Sequence, residues 1–229
     1  MIRQLPRAAL LAATLAMTAC GESPPANAPA AVVSDTAPAT NTAAPTPVPD
    51  TVKVRLETEA GNIVLQLDGR HAPITTANFL AYVDQHRFDG ITFYRASRTP
   101  HTPGQGFIQG GIRRNPMLAL PPIAHEPTSR TGLHHIDGAI SMARLEPGSA
   151  MGDWVILSGA EPSMDAGHRR PSSGNNDTES YAVFGHVVEG MDVVHHILAA
   201  PTVENAGTGA MRGQMLVQPV RIVRAVRAE

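Results

Sequence analysis

The stretch Ile91–Gly111, ITFYRASRTPHTPGQGFIQGG, constrains the fold of this 229-residue chain more than any other. Two β-forming runs, Ile91-Thr92-Phe93-Tyr94-Arg95 and Gly106-Phe107-Ile108-Gln109-Gly110-Gly111, flank a polar loop rich in Pro and Gly. Apolar runs bounded by turn formers read as strands, and this loop lets the two lie side by side. One face of the pair then carries a guanidinium, an aromatic ring and a primary amide. That trio suits an apolar ring next to a carbonyl, as in a proline peptide.

The flanking segments extend the β pattern. Val52-Lys-Val54-Arg-Leu56-Glu alternates apolar and polar residues, Glu59-Ala60-Gly61-Asn62 supplies a turn, and Ile63–Leu67 follows, which predicts a hairpin. After Pro73, Thr75-Thr76 is a candidate N-cap for a helix reaching about His86, with Phe79, Leu80 and Val83 at helical spacing. Further strands are predicted at Gly138–Arg144, Trp154–Leu157, Tyr181–Val188 and Val220–Val226. A long polar loop spans Glu161–Ser180, and a second helix opens at Met191 with Val194, Ile197 and Leu198 on one side. Many strands with two short helices do not give the βαβ alternation of a parallel sheet. The expected fold is mainly β, a closed eight-stranded antiparallel barrel capped by two α-helices, because closure removes exposed edges.

The N-terminal quarter has a different character. Residues 1–19 carry Arg3 and Arg7 and then the uncharged run Ala8–Ala19, too short for a bilayer core that needs about 20 apolar residues but suited to a signal peptide. Small residues precede Cys20, the only cysteine, and Leu15-Ala16-Met17-Thr18-Ala19-Cys20 resembles a bacterial lipobox with Met17 at the usual leucine place. That resemblance implies cleavage before Cys20 and lipidation of its new N-terminus. Glu22, two places on, implies an outer-membrane address on the periplasmic side of the envelope. Residues 20–51 are rich in Ala, Pro and Thr with little bulky apolar surface, so they are expected to form a disordered tether. The folded domain is expected over 52–229. A formal net charge of −2, made more acidic by cleavage, argues against a nucleic-acid partner.

From Val52 to Val226 the motifs are, in order, Ala72-Pro73 with Asn78-Phe79, Phe93-Tyr94-Arg95, Phe107-Ile108-Gln109-Gly110-Gly111, Gly138–Arg144, and Val183-Phe184-Gly185 with Val188–Val194. Together they resemble the cyclophilin-type peptidyl-prolyl isomerases, whose signature is Phe-His-Arg followed by Gly-Phe-x-x-Gln-Gly-Gly. The resemblance implies the eight-stranded barrel and an isomerase of X-Pro bonds. It places Arg95 on the catalytic arginine, Phe107 in the proline pocket and Gln109 on the substrate-holding glutamine. Ala143 and Arg144 fall on peptide contacts, Met164 on a pocket leucine and Tyr181 on a pocket position that is histidine or tyrosine. The chain departs from the family at Asp153, which replaces a substrate-contacting glutamine, and at Val155, which replaces a pocket phenylalanine. It also departs at Ser163, which replaces a rim aromatic, implying poor cyclosporin binding. Ser97–Gln105 hold extra residues, and Gly-Phe-Ile-Gln is one residue short. No cofactor is implied. The partners implied are proline segments of exported, incompletely folded proteins, met by a monomer joined to the membrane only through its lipid.

The remaining patterns exclude other chemistry. His134-His135 and His195-His196 are adjacent and so do not share a face, and the lone cysteine leaves no cysteine-based zinc set, so no metal site is expected. No Gly-x-Ser-x-Gly elbow occurs. Two classes stay open: an active isomerase, or a cyclophilin-fold peptide-binding module or envelope chaperone weakened at Val155 and Asp153. A lipocalin-like barrel for a small apolar ligand also fits the strand count.

Overall fold

The computed structural model describes residues 48–168 and 179–229. The signal-like segment, Cys20 and most of the expected tether lie outside them. Within the unit 44–229, the first hairpin is β1 (Thr51–Thr58) and β2 (Gly61–Asp68), paired over their full length. Helix α1 (Pro73–Asp84) follows, then the β3 (Thr92–Arg98) and β4 (Gly106–Gly111) hairpin. The chain continues through a single-turn helix α2 (Thr128–Thr131), β5 (Ala139–Met142), β6 (Asp153–Ser158), a 3-10 turn at Pro162–Met164, and β7 (Ala182–Glu189). It ends with α3 (Met191–Ala199), the two-residue β8 (Thr202–Val203) and the long β9 (Met215–Ala228).

The strand order is β1-β2-β7-β5-β6-β4-β3-β9, and β9 pairs back onto β1, so eight strands close a ring. Every pairing is antiparallel, and β8 is a short appendage on β9. The barrel expected from the sequence is therefore present. The additions are α2, β8 and the early start of β9, which the sequence placed at Val220.

The ring's interior is filled by Trp154, Phe93, Phe184, Ile108, Ile140 and Leu56, all essentially inaccessible to solvent. A barrel packed with its own side chains has no room for a lipid, which overturns the lipocalin-like reading. Because the ring is closed, residues from outside it reach this cluster only through its open ends. Helix α1 brings Phe79, whose ring lies 5.8 Å from Trp154 and 5.3 Å from Phe184, and α3 brings Val194, Ile197 and Leu198. Gly110 faces inward, where a Cβ would stand 3.2 Å from both Phe93 and Trp154. Large aromatics on the neighbouring strands thus require a small residue there.

The start of α1 corrects the sequence reading. Neither Thr75 nor Thr76 caps it; Pro73 occupies the first turn, where its missing N–H is harmless. The cap arrives from a distant loop. The buried Glu126 carboxylate accepts the N–H groups of Ile74 and Thr75 at 3.1 and 2.7 Å and the Thr75 hydroxyl at 2.6 Å. A carboxylate there also meets the positive end of the helix dipole.

Candidate active site

A second apolar cluster sits on the outside of the barrel. Ala139, Val155, Leu157, Met164 and Val183 are buried, with Phe107, Leu133 and Tyr181 partly buried against them. Strand alternation explains the division. On β4, Ile108 enters the barrel while Phe107 and Gln109 face out; on β6, Trp154 and Ile156 enter while Val155 and Leu157 face out.

Register decides which outward residues become neighbours. Gln109 pairs with Arg95 on one side and Val155 on the other; Val155 then pairs with Ser141, and Ser141 with Val183. One row therefore runs Arg95–Gln109–Val155–Ser141–Val183 across five strands. Two irregularities set it. The register slips between Phe93 and Arg95, which leaves both Tyr94 and Arg95 outside the core, and again between Ile140 and Ser141.

Arg95 is half-buried and held at three points. Its Nη1 donates to Gln109 Oε1 at 2.8 Å, and its Nε donates to Gln214 Oε1 at 2.8 Å. Its Cζ lies 4.9 Å from the centre of the Phe107 ring, a cation–π distance. Burial lowers the guanidinium from its ordinary value, opposed by the nearby phenols of Tyr94 and Tyr181. An arginine starts so high that it remains a cationic donor at any working pH. The arrangement is a fixed, charged hydrogen-bond donor at the edge of an outward-facing apolar cluster.

The far side of that cluster is tied down by a buried polar chain. His135 Nδ1 lies 2.6 Å from Asp165 Oδ1, and His135 Nε2 lies 3.0 Å from Ser141 Oγ. Asp165 also accepts the His135 N–H at 3.0 Å and contacts the His134 ring at 3.0 Å. Burial alone would raise the Asp165 carboxyl, but the hydrogen bonds from His135 and His134 outweigh it and hold it below the usual range. Asp165 adjoins Met164, and the His135 ring meets Tyr181 edge-on at 6.5 Å, so this chain fixes both residues over the row.

The other residues expected at the site divide. Phe107, Val155, Met164 and Tyr181 gather in this cluster, with Gln109 beside Val155 and Arg95 at its edge. Arg144 stacks on Tyr181 at 5.2 Å and binds the carbonyls of Glu179 and Ser180, so it buttresses Tyr181. Ala143 is half-buried just after β5, its N–H on the carbonyl of Asp153. The Asp153 side chain is engaged elsewhere. Its Oδ1 accepts the Tyr94 hydroxyl at 3.1 Å and the Arg113 N–H at 2.8 Å, and its Oδ2 takes the Arg114 N–H at 3.4 Å. The extra residues of Ser97–Gln105 lengthen the β3–β4 hairpin and close it with a Thr99–Gln105 backbone bond. Gln214, His135, Asp165 and Ser141 escaped the sequence reading. Ser141 carried a signal, being a polar residue inside an otherwise apolar strand.

Comparison with known proteins agrees with this geometry. The sequence profile of the family "Cyclophilin type peptidyl-prolyl cis-trans isomerase/CLD" matches residues 53–227. The chain is 35% identical over 175 residues to a peptidyl-prolyl cis-trans isomerase of Streptomyces antibioticus, covering 75% of this chain and 96% of that protein. It is 36% identical over 155 residues to peptidyl-prolyl cis-trans isomerase A of Dickeya dadantii, covering 67% and 74%. A crystal structure of a cyclophilin type isomerase of Cryptosporidium parvum, solved in the presence of the dipeptide Ala-Pro, covers 77% of this chain and 99% of its own; another of the same protein superposes with a TM-score of 0.59 at 18% identity. The chain belongs to the cyclophilin-type peptidyl-prolyl cis-trans isomerase family. Its reaction is cis–trans rotation about X-Pro bonds.

Proposed function

We propose that Arg95 stabilises the twisted prolyl amide while Phe107, Val155, Met164 and Tyr181 hold the proline ring and Gln109 holds the flanking peptide. The observation that carries this reading is the placement of Arg95, clamped by two amides and a ring, at the end of the row that leads into the apolar pocket. Resonance sets a rotation barrier of about 18–20 kcal/mol. In the twisted form the prolyl nitrogen is pyramidal and its lone pair is no longer shared with the carbonyl. A donor aimed at that nitrogen therefore binds the twisted form better than either planar one, and only such differential binding lowers the barrier. One preorganised donor contributes about 3–4 kcal/mol by analogy with oxyanion holes. No covalent step and no cofactor is needed.

Exchange NMR on an Ala-Pro-Phe peptide, with residues 52–229 and with Arg95→Ala, tests the assignment. Fast exchange that falls at least a hundredfold in the variant supports it. Broadening without faster exchange, equal in both proteins, would leave a peptide-binding module instead. We further propose that the clients are exported proteins and that the protein works as a monomer tethered by a lipid on Cys20, on the periplasmic side of the outer membrane. The lipobox-like run and the Ala/Pro-rich segment support this. Radiolabelled palmitate incorporation that vanishes in Cys20→Ser tests the anchor, and labelling that persists overturns it.

A further inference from the structure

Beyond the row, on the side of Arg95 away from Val155, the surface carries a cleft of about 430 Å³. Tyr94, Met211, Met215, Leu216 and Pro219 form its walls, and Arg113 also lines it. We propose that this cleft is a second substrate subsite, taking a residue that flanks the proline and selecting an acidic side chain there. The inference rests on the reading that Arg95 faces the prolyl amide.

Continuity with the Arg95 site names the occupant. Met215 is the cross-strand partner of Arg95, Gln214 clamps the Arg95 guanidinium, and Tyr94 is its neighbour in the chain. Adjacent strands stand about 4.8 Å apart, and an extended peptide advances about 3.3 Å per residue. A peptide whose prolyl nitrogen sits at Arg95 therefore reaches the cleft within one to three residues. The occupant is the client chain already bound.

Charge chooses the side chain. The Arg113 guanidinium lies 5.0 Å from the centre of the Tyr94 ring, and among the described residues it forms no ion pair. Its position is costly. Arg113 and Arg114 both adopt left-handed backbone, with φ of 50° and 56°, which L-residues rarely do. The Asp153 carboxylate holds this turn through backbone N–H groups and the Tyr94 hydroxyl. Asp153 thereby positions Arg113. Arg113 is the one charged residue among the described residues that line the cleft, whose other lining residues are apolar or neutral. A glutamate fits this surroundings well: its methylenes lie on the apolar walls and its carboxylate meets Arg113.

The test uses matched Ala-Pro peptides bearing Glu, Gln or Lys at each of the three positions on either side, with kcat/KM measured by exchange NMR. The wild-type protein should prefer Glu over Lys about fivefold at one flank, as a partly exposed ion pair allows. Arg113→Glu should invert the order, and Arg113→Gln should abolish it. Equal rates for Glu, Gln and Lys at every position would overturn the subsite, as would a preference that survives both substitutions. The wild-type comparison stands even if a variant folds poorly. Arg95→Ala keeps the two readings apart. If it retains the rate on all peptides, the assignment of Arg95 fails; if it collapses them while wild-type shows no Glu preference, only the subsite fails.

Discussion

Replacing His135 by alanine should damage this protein more than a single histidine usually would. His135 is 1% exposed, and its ring links two partners, Asp165 at 2.6 Å and the fully buried Ser141 at 3.0 Å. Losing a hydrogen bond to a charged group costs about 2 kcal/mol, and a neutral one about 1 kcal/mol. The void left by the ring brings the expected loss to about 4 kcal/mol, a large share of the 5–15 kcal/mol typical of a domain. The assay is urea unfolding followed by fluorescence of Trp154, the only tryptophan and wholly buried. The sign of the pH dependence follows from Asp165. Its carboxyl is lowered in the fold, so its contribution is complete above its ordinary value near 3.8 and fades as pH falls through the folded value. Wild type should therefore lose stability more steeply than His135→Ala as pH falls below about 4, because the variant lacks the ring that contributes most to the lowering while His134 stays. In activity the same variant should raise KM more than it lowers kcat, because Met164 and Tyr181 lose their anchor while Arg95 keeps both of its amides. A loss under 1 kcal/mol with parallel acid profiles would refute this account of the pocket wall.

Three further outcomes follow from named contacts. Gln214→Ala frees Arg95 Nε and should lower kcat about three- to tenfold by exchange NMR, the worth of about 1 kcal/mol of donor alignment, with unfolding unchanged within 1 kcal/mol. Glu126→Ala removes all three hydrogen bonds at the start of α1 and should cost about 2–3 kcal/mol in urea unfolding while leaving KM unchanged. Val155→Phe enlarges the floor between Gln109 and Ser141 and should raise kcat/KM several-fold, from about 1 kcal/mol of added apolar contact with the proline ring. A fall would mean that the pocket is already filled.

What the sequence disclosed, and what it withheld, follows from how far each feature reaches along the chain. Strands β1 to β4 were legible because alternation and turn residues are local, and so was the burial of Phe79 and Val194, which helical spacing encodes. The cap of α1 was not. Thr75-Thr76 offered a local candidate, and the actual acceptor, Glu126, lies 51 residues from Thr75 in a Pro-rich stretch without periodicity. Gln214 stands 119 residues from Arg95, and Asp165 stands 30 from His135. Nothing in either neighbourhood names its partner. The beginning of β9 was hidden for another reason. Between Phe93 and Arg95 its register with β3 jumps from Val220 to Met215, and the intervening Pro219 reads as a turn.

Asp153 shows how a matched position can hold a different task. Its alignment with a substrate-contacting glutamine suggested a peptide contact, whereas its carboxylate braces the turn that carries Arg113. At this position a carboxylate thus braces the neighbouring turn where the family has a neutral amide. The same reasoning applies to the whole site. Each strand's outward residues could be named from alternation alone, but alternation does not say which of them meet. The slips at Tyr94 and before Ser141 align Arg95, Gln109, Val155, Ser141 and Val183 in one row. Removing either slip would turn one strand's set toward the core. The chemistry of this face therefore depends on register as much as on residue identity.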